Sequence, residues 1–187
     1  MRLDPRLQTL VLAVHILALC IALGPLVFFG AVVAPASFRI LPTHDMAGAL
    51  QSPILSKLCL MGEASFLVLF GTSWLLTGNG AAKLTRSLLT RLPILGFFAA
   101  IVIRQLLIPQ IDRIRVEAAG LIDSLPAGDP SRLLLDRYHR MATGFFSVEI
   151  AAALILVLTT ARLLSAPRIV PPAPVAAPKP VPKILDL

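Results

Sequence analysis

Charge is scarce in this sequence: only 14% of its 187 residues are Asp, Glu, Lys or Arg, against about a quarter in soluble chains. With 57% hydrophobic residues beside that shortage, an ordinary soluble globule is excluded. Only two cysteines occur, Cys20 and Cys59, both inside apolar runs and in neither CxxC nor CxxxC spacing, so no disulfide framework and no zinc knuckle is indicated. The sequence also lacks a nucleophile–base array, a phosphate loop, an HExxH spacing and any useful internal repeat. It is therefore not read as an enzyme, and no cofactor or metal is specified. The formal net charge of +7 would suit nucleic acid, yet Lys and Arg sit almost entirely at the ends of apolar runs. Cations placed there carry topological information, so the partner they indicate is a lipid bilayer and not nucleic acid.

What is present is a set of long apolar runs. Arg2 and Arg6 followed by an apolar stretch and Ala34-Pro35-Ala36 imitate a secretory signal and its cleavage site. The stretch from Leu7 to Val33 is too long for that, and at ~1.5 Å per residue it crosses the bilayer, so an uncleaved first span is expected. This span runs to about Ala34 and carries Gly24-Pro25, a kink that a membrane helix tolerates when its neighbours satisfy the freed carbonyl. A polar connection from Pro35 to Pro53 is expected next, then a second span from Ser56 to Leu76 ending at Thr77-Gly78-Asn79-Gly80. A third span, Leu88 to Leu107, does not stop cleanly. Ile108, Ile111, Ile114, Ala118, Leu121, Ile122 and Leu125 continue at helical spacing with charges on the other face, which predicts an amphipathic extension past the membrane. Pro126 to Pro130 breaks it. The fourth span, Tyr138 to Leu163, contains Ala151, Ala152 and Ala153, a thin section where a neighbouring helix can approach closely. The fold class is thus all-α: a polytopic bundle of four transmembrane helices within residues 1–165. Residues 166–187 form a separate proline-rich tail without a core, read as disordered.

Counting Lys and Arg with both termini inside places nine on the cytoplasmic side and eight opposite. The basic flanks of the first span and the dense short loop of Lys83, Arg86 and Arg91 favour cytoplasmic termini, in a bacterial inner or plasma membrane.

Two carboxylates, Glu63 and Glu149, fall inside apolar runs, and an ionisable group at bilayer depth is expensive unless it faces the bundle interior with a partner. Glu63 lies seven residues in from Ser56 and Glu149 seven in from Ala142, each ~10 Å from the same face. Arg104 enters that side from the third span, Cys59 sits one turn from Glu63 on the same helix face, and His139 stands at the mouth of the fourth span. Two readings stay open: a polar pocket of Glu63, Glu149, Arg104, Cys59 and His139 that holds a cation, a metal or a proton, or a structural Glu–Arg pair that sets helix register. His15 invites comparison with a haem or copper ligand, but it lies ~28 Å from the Ala34 end, whereas two nitrogens on one metal must sit within ~4 Å of each other, so it cannot pair with His139. At its level the other spans offer Thr72, Ser73, Trp74, Thr159 and Thr160, which predicts a hydrogen-bonded layer.

His15-Ile16-Leu17, Gly24 to Phe29, Val33 to Phe38, Ile108-Pro109-Gln110-Ile111 and Tyr138-His139 together resemble the small membrane proteins called transmembrane-protein-205-like, over roughly residues 7 to 163. That family is a domain of unknown function with an animal member linked to drug and platinum tolerance, and it is distantly similar to copper-resistance D membrane domains. The resemblance implies an export or metal-tolerance theme, singles out His139 as a functional candidate, and makes Pro35, Phe38 and Pro109 shape-setting residues. One departure stands out: Arg140, Met141 and Ala142 follow the histidine where the pattern has a small residue and then a serine.

Three function classes fit a small polytopic chain. Transport or tolerance of a small molecule or metal needs an intramembrane polar site, which Glu63 and Glu149 offer. A noncatalytic assembly or scaffold protein, including a homo-oligomer, needs only surfaces, and a haem- or copper-binding redox protein needs ligands at one level, which are poorly supplied. The four-span count makes a direct prediction: cysteines introduced at Lys83 and Asp123 react with impermeant reagents from opposite sides of the membrane. Labelling of both from one side would end that count.

Overall fold

The computed structural model describes residues 4–77, 83–118 and 122–165, all of the regular structure in them helical. The proline-rich tail, and Gly78, Asn79 and Gly80 of the proposed helix stop, lie outside the described residues. The helices are α1 (Pro5–Phe28), α2 (Ala34–Ile40), α3 (His44–Leu76), α4 (Lys83–Ile101), α5 (Ile108–Glu117) and α6 (Pro130–Ser165). Because α1 runs into α2 and α4 into α5 without a break, four continuous rods result: Pro5–Ile40, His44–Leu76, Lys83–Glu117 and Pro130–Ser165. Each is long and apolar enough to cross a membrane. A rod of 36 residues is ~54 Å long, well beyond the ~30 Å of hydrocarbon, so the rods also build a layer outside it. α1 packs on α3, α3 on α4, α4 on α6 and α6 back on α1, an up-and-down bundle in chain order. Large apolar side chains such as Leu10, Leu17, Phe28, Trp74 and Leu158 stay on the outside, the surface that lipid covers.

The joints are made by proline. A π-helical turn, Phe29–Val33, immediately precedes Ala34-Pro35, and another, Val102–Leu107, immediately precedes Ile108-Pro109. A proline ring collides with the carbonyl four residues back, and a widened turn carries that carbonyl away, so the rod passes through proline. Pro25, Pro53 and Pro93 lie inside α-helices. This corrects the expected connection from Pro35 to Pro53: the chain is helical to Ile40 and again from His44, leaving only Leu41 to Thr43 between. Thr43, extended at φ −132° and ψ 153°, accepts the Met46 N–H at 3.1 Å and starts α3 ten residues earlier than Pro53 suggested. The extension after the third span is shorter than expected. α5 ends at Glu117 and Ile122–Ser124 is a 3-10 turn, while Leu121 of the expected extension lies outside the described residues; Asp45 and Asp123 exchange bonds at that turn. Each carboxylate accepts the other residue's backbone N–H, at 3.2 and 3.1 Å, which pins the 3-10 turn to the first turn of α3. Asp129 accepts the Ser131 N–H at 2.8 Å ahead of Pro130, so α6 begins eight residues before Tyr138.

Two apolar clusters fill the bundle. One gathers Leu19, Phe66, Leu69, Leu89, Ala153 and Leu156, and the other Cys59, Ala100, Ile103, Leu107, Ile111 and Ala142. Glu63 on α3 and Glu149 on α6 fall between them in sequence, which locates a polar layer between two greasy ones. The close approach expected at the alanine run occurs, with Ala152 and Ala153 buried, and a second thin spot lies at Gly96, on which the Phe66 ring rests. A Cβ at Gly96 would overlap that ring. Gly96→Ala is therefore expected to lower stability by about 1–3 kcal/mol through overpacking, measured as thermal unfolding in detergent, and Phe66→Leu should recover part of the loss in the double variant.

Candidate functional site

Glu63 and Glu149 each stand nineteen residues in from the first residue of their helix, His44 and Pro130. The two helices run in the same direction on a diagonal of the bundle, so the two carboxylates share a level. Arg104 comes to that level from the π turn of the third rod and binds Glu63 through two parallel bonds, Nε to Oε1 at 2.6 Å and Nη2 to Oε2 at 2.7 Å. This fork-to-fork pairing is the strongest geometry available to the two groups. Gln105, its amide oxygen turned to the guanidinium, accepts from Nη2 at 2.9 Å and Nη1 at 3.1 Å. Arg104 is thereby held by Glu63 and Gln105, with its side chain 24% exposed.

Glu149 is left without such a partner. It is 0% exposed, and neither carboxylate oxygen has a hydrogen-bond partner. Gly62, one position before Glu63, makes the room: a Cβ built there would stand 3.5 Å from Glu149 Oε2 and 4.0 Å from the Ala100 methyl. Cys59, one turn before Glu63 on α3, is buried in the cluster that contains Ala100, the residue whose methyl stands beside Gly62 and Glu149. Four of the five residues singled out from sequence therefore converge. His139 does not join them. It lies ten residues before Glu149 on α6, ~15 Å away by helical rise, and lines a separate cavity.

That cavity, about 500 Å³, lies at the end of the bundle where the first rod ends and α3 and α6 begin. Its inner wall is apolar, with Phe29, Leu55, Ile108 and Phe146, and its outer wall carries Asp45, Arg115, Asp123, Arg132 and Asp136. Arg115 lies flat on Gly48, where a Cβ would collide with its guanidinium. Its Nη1 stands 3.7 Å from Asp112 Oδ1, while its buried Nε has no acceptor. Asp112 is itself fixed by the Ser52 hydroxyl, at 2.7 and 2.9 Å from its two oxygens. Sequence reading missed this cavity, since its wall is assembled from four rods and a 3-10 turn; the one local signal was Gly48 within the first turns of α3.

His15 forms the expected layer deeper in the bundle. Thr72 donates to the Val68 carbonyl at 2.8 Å and so accepts from His15 Nδ1–H at 2.8 Å, which leaves Nε2 to accept from Thr160 Oγ1 at 3.0 Å. Both ring nitrogens are engaged. Thr159 turns to the Ile155 carbonyl of its own helix, Ser73 is buried without a side-chain partner, and Trp74 faces outward at 64% exposed. Among the described residues, no group of three or more His, Cys, Asp or Glu is placed to hold a metal ion.

A family model described as a domain of unknown function, DUF4149, matches residues 17–119. This stretch includes Cys59, Glu63 and Arg104 and ends before α6, so Glu149 and His139 lie beyond it. No curated protein and no solved structure matches the chain.

The pair and the lone carboxylate respond differently to neutral replacement. Glu63→Gln strands Arg104 and is expected to cost about 1–3 kcal/mol. That is below the ~3–5 of a fully buried pair, because Arg104 keeps Gln105 and reaches toward the headgroups. Adding Arg104→Gln should restore most of the loss in a detergent melting experiment. A double variant no more stable than Glu63→Gln alone would show that the two residues do not act as a pair.

Proposed function

The chain belongs to the DUF4149 family, a domain of unknown function, and we propose that it is a membrane transport or tolerance protein whose working group is the Glu149 carboxylate. One observation carries this reading: at a shared depth, Glu63 has Arg104 and Glu149 has nothing. A buried carboxyl without a partner contributes no stability and costs several kcal/mol in its charged form, so its presence calls for a use. In a membrane that use is the binding and release of an ion along a pathway. The species best matched to the site is a proton, because two carboxylate oxygens beside a glycine and an alanine provide no further ligands for a metal ion.

In this reading Arg104 and Glu63 are a fixed electrostatic wall. Their bidentate bond holds the π turn and keeps a negative charge near Glu149, so that any proton arriving in the layer is bound at the free carboxylate. With the termini on the cytoplasmic side, the cavity opens toward the opposite face of the membrane. The resemblance of the first span and of the Ile108 to Ile111 motif to transmembrane-protein-205-like proteins, and at a distance to copper-resistance D domains, supports the tolerance theme. His15 has no free nitrogen for a haem iron or a copper ion, so the redox reading draws nothing from it.

Glu149→Gln keeps the shape and removes the titratable group. In proteoliposomes loaded with a pH-sensitive dye and driven by a potassium diffusion potential, it should slow proton uptake by about tenfold or more, equivalent to ~1.4 kcal/mol or more in the barrier. Its melting temperature should be unchanged or higher. The Glu63→Gln, Arg104→Gln double variant, which keeps the Glu149 carboxyl, should lose less uptake than Glu149→Gln. Wild-type uptake in a folded Glu149→Gln protein would overturn the assignment.

A further inference from the structure

The cavity beneath Asp45 and Asp123 belongs to no part of the proton site, and its wall specifies what it can hold. At about 500 Å³ it is within the ~300–1,000 Å³ of small-molecule sites. A bound water needs two to four polar partners, which the outer wall with Ser52 and Thr143 supplies and the side chains of Phe29, Leu55, Ile108 and Phe146 do not. The outer wall sets the head group. Arg115 and Arg132 stand there against Asp45, Asp123 and Asp136, with His44 and His139 beside them, so a full charge of either sign on an occupant meets a like charge. Burial pulls the pKa of the Arg115 guanidinium down, and Asp112, Asp45 and Asp123 offset this only in part. Its hydrogen bonding is also incomplete, since the buried Nε–H has no acceptor, and such a group costs about as much as a lost bond.

We propose that this cavity binds an uncharged amphiphile, with a carbonyl or hydroxyl oxygen accepting from the Arg115 and Arg132 guanidiniums of the outer wall and an apolar body against Phe29, Leu55 and Phe146. A molecule of this class reaches the site from the bilayer. The cavity lies at the hydrocarbon boundary, where such molecules concentrate with the polar end outward, the orientation that the wall requires. Arg115 cannot withdraw from the role easily, because its guanidinium lies on the Gly48 backbone. The inference stands apart from the role of Glu149, which lies one helical turn below Phe146 and does not line the cavity.

The test uses the full chain in vesicles with three photoreactive probes of one chain length: a monoacylglycerol, a fatty acid and an alkylamine, each with a diazirine in the chain. Cross-linked residues are mapped by peptide mass spectrometry. The monoacylglycerol is expected to label the cavity wall at least about tenfold more than either charged probe. Labelling should fall stepwise in Ala142→Val and Ala142→Phe, which fill the cavity. It should fall about three- to tenfold in Arg115→Lys, which keeps the charge and loses the planar array of donors. The Valine variant keeps the series readable if the phenylalanine variant unfolds. Equal labelling by the three probes, preference for a charged one, no cavity labelling in the wild type, or labelling unchanged in a folded Ala142→Val protein would each overturn the proposal. Glu149→Gln should label as the wild type does, so loss of proton uptake and loss of amphiphile binding are separable failures.

Discussion

The bundle buries two carboxylates at one depth and brings a single guanidinium to them. That inequality organises the rest of the polar layer. Arg104 forms two short parallel bonds to Glu63, and with Gln105 on the Nη1–Nη2 edge four of its five N–H donors are committed, none of them to Glu149. Glu149 is then confined to a space that Gly62 and Ala100 leave open between two apolar clusters. In water the imbalance would be trivial, because solvent would complete the second carboxylate. In hydrocarbon no solvent completes it, and an unpaired carboxylate costs several kcal/mol in its charged form.

The position of Arg104 depends on backbone geometry as much as on charge. It sits inside the π turn that Pro109 imposes, so removing the constraint would return the turn to ordinary α-helical phase and swing the following residues round the axis. Pro35 does the same for the first rod, where the π turn carries Phe29 and Gly30 to the cavity wall. The two joints thus serve two sites, one within the membrane and one at its edge. The edge site is closed by a different device. Asp45 and Asp123 satisfy each other's backbone amides, which satisfies two helix-end donors and anchors the turn that covers the cavity.

A good deal was legible in the residues. Four apolar runs with polar ends admit only a helical membrane bundle, because lipid leaves no other way to satisfy the backbone. The depth of Glu63 against Glu149, and of His15 against Thr72 and Thr160, follows from a constant rise per residue once the spans are placed. The errors arose where proline was treated as an end. Pro35 and Pro53 lie within helices, and α3 and α6 begin earlier than their apolar faces suggested, since capping by Thr43 and Asp129 depends on single side chains and not on periodicity. The Pro-rich tail falls outside the described residues, and so the domain boundary at Ser165 rests on composition.

Sequence by itself determined the class of fold, the number of spans, the depths of Glu63, Glu149 and His15, and a short list of Glu63, Glu149, Arg104, Cys59 and His139. These follow from one-dimensional quantities, hydropathy and axial rise. Only the tertiary structure decided which carboxylate Arg104 takes, that both nitrogens of His15 are engaged, and that Arg115 lies on Gly48 beside a cavity no local pattern announces. Each of these depends on the rotation of one helix about its axis relative to another. A π turn shifts that angle by most of a helical position without changing depth, and so the azimuth is set by packing alone.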